Sequence, residues 1–324
     1  MVENPTKLLA RFITGIQYPD LPDMALAHGR SSLLDASAVG LAGSLSKGAK
    51  TLNAVLMPYK HKKGCKVIGT DIRLPAPFAA LANGNTIHAD DFDDTLAADP
   101  SAHGYHGSTH PTGPLLSTLL ASIDSKKISG KDFLIAYHVG VEVMAKLNSA
   151  LGPRSFAAGF HPTAIMSAFG STASAAKLKG LDLETTETAL GIAASHACGL
   201  RANFGSMMKP FHPGPGAMSG FLAVAMAAGG FTAASDAIGG DIGFLKAYGN
   251  SIDMEPLIAL GRPWAYESPG MWIKPYPSGN LTHPGMSRID EFLKKNEANR
   301  NEVCKLEIKT KQSIYDTLIH HHPK

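Results

Sequence analysis

Residues 83–114 read NGNTIHADDFDDTLAADPSAHGYHGSTHPTGP, which places Asp90, Asp91, Asp93 and Asp94 beside His88, His103, His106 and His110 in a chain whose charged fraction is only 18%. Carboxylates this close repel one another unless a cation faces them or one of them holds a proton. Either arrangement shifts pKa values in the way acid–base chemistry requires, so the stretch reads as a site. Solvated aspartates at a capped helix end are the plain alternative. Apolar residues recur at helical spacing both before the stretch, from Pro75, and after Pro114, so the charge sits between helices. If the first of these helices ran on, Asp90 and Asp94 would share a face, as would His88 and Asp91.

Working outward, the helical reading extends over most of the chain. Hydrophobic residues make up 44% of it and aromatics only 7%, so a core must be built from Ala, Leu, Gly and Met, which favours closely packed helices. Asn4 is placed to cap a helix with Pro5 at its first position. A second helix follows Pro22, residues 43–50 read as its exit, and 51–59 form a short helix. Residues 65–68 read as a brief extended piece. Further helices are expected over 115–123, over 129–151 with Ser129 as cap, from just beyond Pro162, and over 185–196. Residues 217–234 carry no charge and approach the length of a bilayer span. Gly229 and Gly230 interrupt them and no aromatic belt or basic flank accompanies them, so a buried helix is expected, not a membrane segment. Past Gly261 the composition shifts: both tryptophans and much of the charge lie there. A helix over 286–294 and a strand over 303–309, VCKLEIK, follow. The fold class is therefore mainly α, with a helical domain over 1–262 and the start of a second, incomplete domain over 263–324.

Net charge is +3 with both signs interspersed, which gives no polybasic face and no nucleic-acid partner. The three cysteines, Cys65, Cys198 and Cys304, are odd in number and far apart, which argues against zinc ribbons and local iron–sulfur motifs and for a reducing compartment. The first residues show neither an apolar signal core nor an Arg-rich transit pattern, so a cytoplasmic location is expected.

A second stretch with chemical promise is GLRANFGSMMKPFHPGPGAMSG, residues 199–220, where Lys209 and His212 stand three apart among glycines and prolines. A lysine there serves as a carboxylate clamp or a base of depressed pKa, or else snorkels to the surface.

Five separated motifs occur in order: NGNTIHADDFDDT, the HPTG of residues 110–113, GFHPTA from Gly159, MMKPFHPG around Lys209, and KPYPSGNLTHP from Lys274. Together they resemble the MmgE/PrpD family over essentially the whole chain. Its members include 2-methylcitrate dehydratase, cis-aconitate decarboxylase and iminodisuccinate epimerase. The resemblance implies a large all-helical domain, here 1–262, a partial α+β lid domain, here 263–324, a homodimer, and a reaction without metal or cofactor, in which a proton leaves a carbon beside a carboxylate of a small di- or tricarboxylate. Loss of water, loss of CO2 or reprotonation follows. Carried over by motif, Asp91, His110 and His161 are the catalytic residues, with Asp91 orienting an imidazole. Lys209 and Lys274 grip substrate carboxylates, and His212 and His283 complete the substrate-binding set.

Dehydration of a 2-methylcitrate-like substrate is the outcome expected, with epimerisation and decarboxylation as alternatives within the family. At Gly279 the decarboxylase branch carries a histidine, which argues against decarboxylation of cis-aconitate. Family members run longer and return from the lid to complete the helical domain, so the expectation is a C-terminally truncated member. A truncated homologue acting only by binding is the non-enzymatic alternative. A different class is raised by Asp90, Asp91 and Asp94, which match the DDxxD with which helical terpene and prenyl synthases hold magnesium, although no second carboxylate motif follows on a later helix.

Overall fold

In the computed structural model, which describes residues 4–96, 108–123, 128–250, 252–296 and 299–318, the chain is mainly α. The helices of the first half are α1 (Pro5–Gly15), α2 (Asp23–Gly43), α3 (Lys47–Leu56), α4 (Ala76–Ile87), α5 (Thr112–Ser122), α6 (Gly130–Leu151) and α7 (Arg154–Ala157). Those of the second are α8 (Pro162–Lys179), α9 (Leu183–Ala194), α10 (Met208–Phe211), α11 (Pro213–Ala228), α12 (Phe244–Gly249), α13 (Glu255–Ile258), α14 (His283–Lys295) and α15 (Gln312–Thr317). Two small antiparallel pairs join them: β1 (Cys65–Lys66) with β2 (Arg73–Leu74), and β3 (Thr95–Leu96) with β4 (Met271–Trp272).

Helices α8 and α11 form the centre, because their small residues let them approach more closely than Leu-faced helices could. α8 is buried from Pro162 through Ala176, and it packs on α5, α6, α9 and α11, while α11 also packs on α4. At the α8–α11 contact Gly216 faces Ser167 and Gly220 faces Ser171; a Cβ on Gly220 would stand 2.6 Å from the Ser171 carbonyl carbon. Gly220→Ala should therefore destabilise the protein by about 1–3 kcal/mol despite the better helix propensity of alanine. A fall in the urea midpoint checks this, and an unchanged or raised midpoint would show that the two helices can separate at no cost.

Local sequence sets most of the boundaries. The Asn4 side chain accepts from the Lys7 N–H at 2.8 Å, and Ser129 with Asp132 closes a capping box at the start of α6. α3 starts four residues earlier than expected, since Ser46 caps it by accepting from the Ala49 N–H at 3.1 Å. The apolar run 217–234 is the body of α11, buried on the face that carries Ala217, Gly220, Ala223, Val224 and Ala227, and an exposed turn after it, and among the described residues no helix is long and apolar enough to cross a membrane.

The end of the chain departs further from expectation. Residues 303–309 form no strand: they are exposed throughout, and no segment among the described residues pairs with them in a ladder. The strand that does form, β4, lies earlier and pairs with β3 in the register Thr95↔Trp272 and Leu96↔Met271. Trp264, Ala265, Tyr266 and Met271 are buried in the same apolar cluster as Leu9, Tyr137 and Phe169. This pairing carries the chain after β4 back to residues 91–96.

Candidate active site

The helix that leads into the acidic stretch stops before the aspartates. α4 ends at Ile87, His88 is its C-cap, and Asp91 adopts φ +51°, a left-handed conformation that aspartate tolerates better than most side chains. The expected shared helical faces therefore do not exist, and the four carboxylates part company. Asp90 is exposed, Asp91 turns toward a cavity, and Asp93 and Asp94 are fully buried. The DDxxD reading fails for the same reason, since Asp90, Asp91 and Asp94 do not converge. His103 and His106 lie outside the described residues.

Asp91 is where the charge balance is set. Lys274, just past β4, donates to its backbone oxygen at 2.8 Å and to Oδ1 at 2.7 Å. Lys209 on α10 also lies 2.7 Å from Oδ1 but outside hydrogen-bonding angles, and its buried ammonium has no hydrogen-bond partner among the described residues. Burial pushes the Asp91 carboxyl up, but the two ammonium groups outweigh it and hold the group well below the ordinary carboxylate range. Burial lowers Lys209 from its usual value, against the pull of Asp91. Lys274 thus positions Asp91, while Lys209 shares that carboxylate and also lines the cavity.

Four imidazoles cluster at the site, His110 being the one in contact range of Asp91. His110 precedes α5, and its Nδ1 lies 2.9 Å from the Asp94 carbonyl oxygen. A carbonyl only accepts, so Nδ1 carries the proton and Nε2, 4.0 Å from Asp91 Oδ1, presents a bare lone pair. His88 bonds Asp93 through Nδ1 at 2.7 Å, with both side chains fully buried, and its ring lies 4.8 Å from that of His110. Burial raises Asp93, but the His88 partner brings it down to about 2. His161 caps α8, with its backbone N–H donating to the Gly199 carbonyl at 3.0 Å and its Nδ1 2.9 Å from Nδ1 of His212. Burial, reinforced by the nearby lysines, holds both His110 and His161 well below the ordinary imidazole range, so each is neutral at pH 7.

Asp94 plays a different part from Asp91. Its carboxylate accepts from the Thr112 hydroxyl and, at 3.3 Å, from the Thr112 N–H, and Thr112 in turn meets the Tyr137 hydroxyl. Burial, with the neighbouring Asp93, pushes it up to about 7. It anchors the start of α5 and so fixes His110.

The cavity holds about 430 Å³ and is lined by Asp91, His110, His161 and Lys209 together with Phe204 and Asn280. Of the substrate-binding set expected from sequence, Lys209 reaches it, whereas Lys274 is spent on Asp91 and His212 stands behind His161. His283 does not reach it: at the start of α14 its Nε2 meets the Ser278 carbonyl oxygen at 3.1 Å and so holds the turn that carries Gly279. The pairing of His88 with Asp93, and the hold of Asp94 on His110, were not legible, since both depend on the chain leaving the helix at Ile87. His88, Asp91, Asp93 and His110 offer ligand atoms within 4.8 Å of one another, close enough to share a cation, but at Asp91 two ammonium groups already hold the cationic positions.

The model of the MmgE/PrpD N-terminal domain matches residues 7–257 of this sequence. Human cis-aconitate decarboxylase is 32% identical over 290 residues, covering 87% of this chain and 58% of its own length. The mouse protein of the same name is 31% identical over 290 residues, with 87% and 57% covered. A cis-aconitate decarboxylase of Aspergillus terreus is 27% identical over 320 residues, with 92% and 63% covered. The chain thus spans about three fifths of the length of these relatives.

Proposed function

The chain belongs to the MmgE/PrpD family, and from that premise we propose that the cavity at Asp91 is the active site of a lyase that forms a carbanion beside a carboxylate of a small tricarboxylate. The observation that carries this is the meeting, at one carboxylate, of a buried ammonium on Lys209, ion-paired to Asp91 but with no hydrogen bond among the described residues, and a bare imidazole nitrogen on His110. Lys209 pairs with a substrate carboxylate and holds it where charge accumulates as the adjacent carbon gains electron density. His110 Nε2 takes or returns the proton at that carbon, with His161 on the same cavity wall as the second acid–base group, and Asp91 faces the imidazolium formed at His110. The apolar flank supplied by Phe204 keeps water from the carbanion.

Two leaving groups fit this chemistry. In decarboxylation of cis-aconitate, the activity named for the relatives, the electron pair left by CO2 moves to a carbon beside a second carboxylate and an imidazole proton quenches it. In dehydration of a 2-methylcitrate-like substrate the base removes the proton beside the carboxylate and the hydroxyl leaves as water. Gly279, which lines the cavity, favours the second, because the family resemblance implies a histidine at that place in the decarboxylase branch. Epimerisation would need only the proton transfers.

Proton-decoupled carbon NMR of the protein with cis-aconitate, and separately with 2-methylcitrate, in buffer with and without EDTA, discriminates these. Release of CO2 marks the first reaction and loss of water the second, and the rate is expected to be the same with EDTA. Absence of turnover, together with no shift in melting temperature on adding any tricarboxylate, would remove the lyase assignment. A rate abolished by EDTA would remove its metal independence.

A further inference from the structure

Behind the cavity wall, His161 and His212 share one hydrogen bond, Nδ1 to Nδ1 at 2.9 Å, with ring centroids 5.1 Å apart. A nitrogen-to-nitrogen bond of this kind holds a single proton: one imidazole donates and the other accepts through its lone pair. Both residues are buried, at 3% and 6% exposure. Burial, with Lys209 nearby, lowers both imidazoles, His212 to about 4, so the resting pair is neutral. Such a pair has two forms. When His161 donates, its Nε2 is bare and accepts a proton; when His212 donates, His161 carries its proton at Nε2 and can give it away.

Ring rotation cannot substitute for this exchange. The Nδ1–Nδ1 bond and the edge-on packing of Phe204, at 4.9 Å between centroids, hold the His161 ring in place. With the ring held, the position of the bridging proton sets which form meets the cavity.

We infer that His212 is a positioning residue that sets, through the shared Nδ1 proton, whether His161 meets the substrate as a base or as an acid, and that carries the proton His161 has taken. This role rests on the lyase function proposed above, and its steps balance. In the first form His161 accepts a substrate proton at Nε2 and becomes a cation. The bridging proton then passes from His161 Nδ1 to His212 Nδ1, which moves the charge to His212 and leaves His161 neutral with its proton on Nε2. His212, which keeps 6% of its surface exposed, next releases its Nε2 proton to solvent water. The pair is now in its second form, and His161 is an acid ready to give a proton to the leaving hydroxyl in dehydration or to the carbanion left by CO2 in decarboxylation. Running the steps backward restores the base.

The test combines His212→Asn with His212→Phe in protein labelled with 15N at histidine. Asparagine keeps a hydrogen-bond partner for His161 Nδ1 but carries no proton onward, whereas phenylalanine removes the partner. In the wild type one Nδ1 signal should be protonated and the other bare, with coupling across the bridge. His212→Asn should melt as the wild type does, keep KM within about threefold and lose about 10²-fold in kcat. His212→Phe should lose kcat as far and also disturb the His161 nitrogen shifts. Spectra with both rings protonated at Nε2 and no proton between the Nδ1 atoms would overturn the pairing, and a kcat for His212→Asn within twofold of wild type would overturn the carrier role. If the wild type turned over no polycarboxylate, the carrier role would fall with the lyase assignment, while the spectra would still decide the pairing.

Discussion

Replacing His110 by asparagine should leave the protein folded and lower kcat by about 10²–10⁴-fold, the usual contribution of a general acid–base group. The side-chain N–H of asparagine can donate to the Asp94 carbonyl in place of His110 Nδ1, so the hold on the start of α5 survives. What disappears is Nε2, the one ring nitrogen that faces Asp91 and the cavity. Turnover measured by NMR and a melting curve separate the two effects: a large fall in rate with little change in melting temperature is expected. A variant retaining more than a tenth of the wild-type rate would move the base role to His161. The pH dependence follows from the depressed imidazole. Because burial and Lys274 hold His110 well below the ordinary value of 6.5, the unprotonated base persists below that pH, and the acid limb of kcat/KM for the free enzyme should lie under 6.5.

The helical architecture was legible because caps and apolar spacing are local signals. Asn4, Ser129 and Pro162 announce their helices whatever lies around them. The site was legible as a set of residue types, since Asp91, His110, His161 and Lys209 all line one cavity. Its wiring was not. The left-handed turn at Asp91 separates carboxylates that a continuing helix would have aligned, and nothing in the composition of the stretch distinguishes the two outcomes. Lys274 reaches Asp91 across 183 residues through the β3–β4 pairing, whose two-residue strands are too short to show a period. The alternation over 303–309 did show a period and yet forms no strand, because a ladder needs a partner and not only a pattern. His283 shares its motif with Lys274, but α14 begins there and turns its ring to the Ser278 carbonyl.

Asp91→Asn should lower kcat/KM by about 10³-fold, the combined loss of one charge-assisted clamp and of the anion facing the imidazolium. Asparagine also accepts the left-handed conformation, and the Lys274 bond to the backbone oxygen at residue 91 remains, so the turn is retained. The charge is not retained. Two ammonium groups now 2.7 Å from the same oxygen would face each other without a counterion, and Lys209, already lowered by burial, would fall further toward its neutral form and lose its grip on the substrate. Breaking a buried ion pair costs several kcal/mol, but the Asp91 side chain is 28% exposed and partly screened, so a stability loss of about 1–3 kcal/mol is expected. The sign of its pH dependence is fixed by the depressed carboxyl. A carboxylate held below its unfolded value of 3.8 contributes stability above that pH and loses it as pH falls through the folded value. The gap between wild type and Asp91→Asn should therefore be constant near neutrality and close only below about pH 4. For kinetics the removal of an anion beside His110 disfavours the imidazolium, so the acid limb of kcat/KM should move to still lower pH. Urea titrations at pH 7 and pH 4, with the kinetic profile, check both signs. A gap that widened in acid, or an acid limb that moved up, would mean that Asp91 is protonated in the folded protein and that the two lysines are balanced by some other charge.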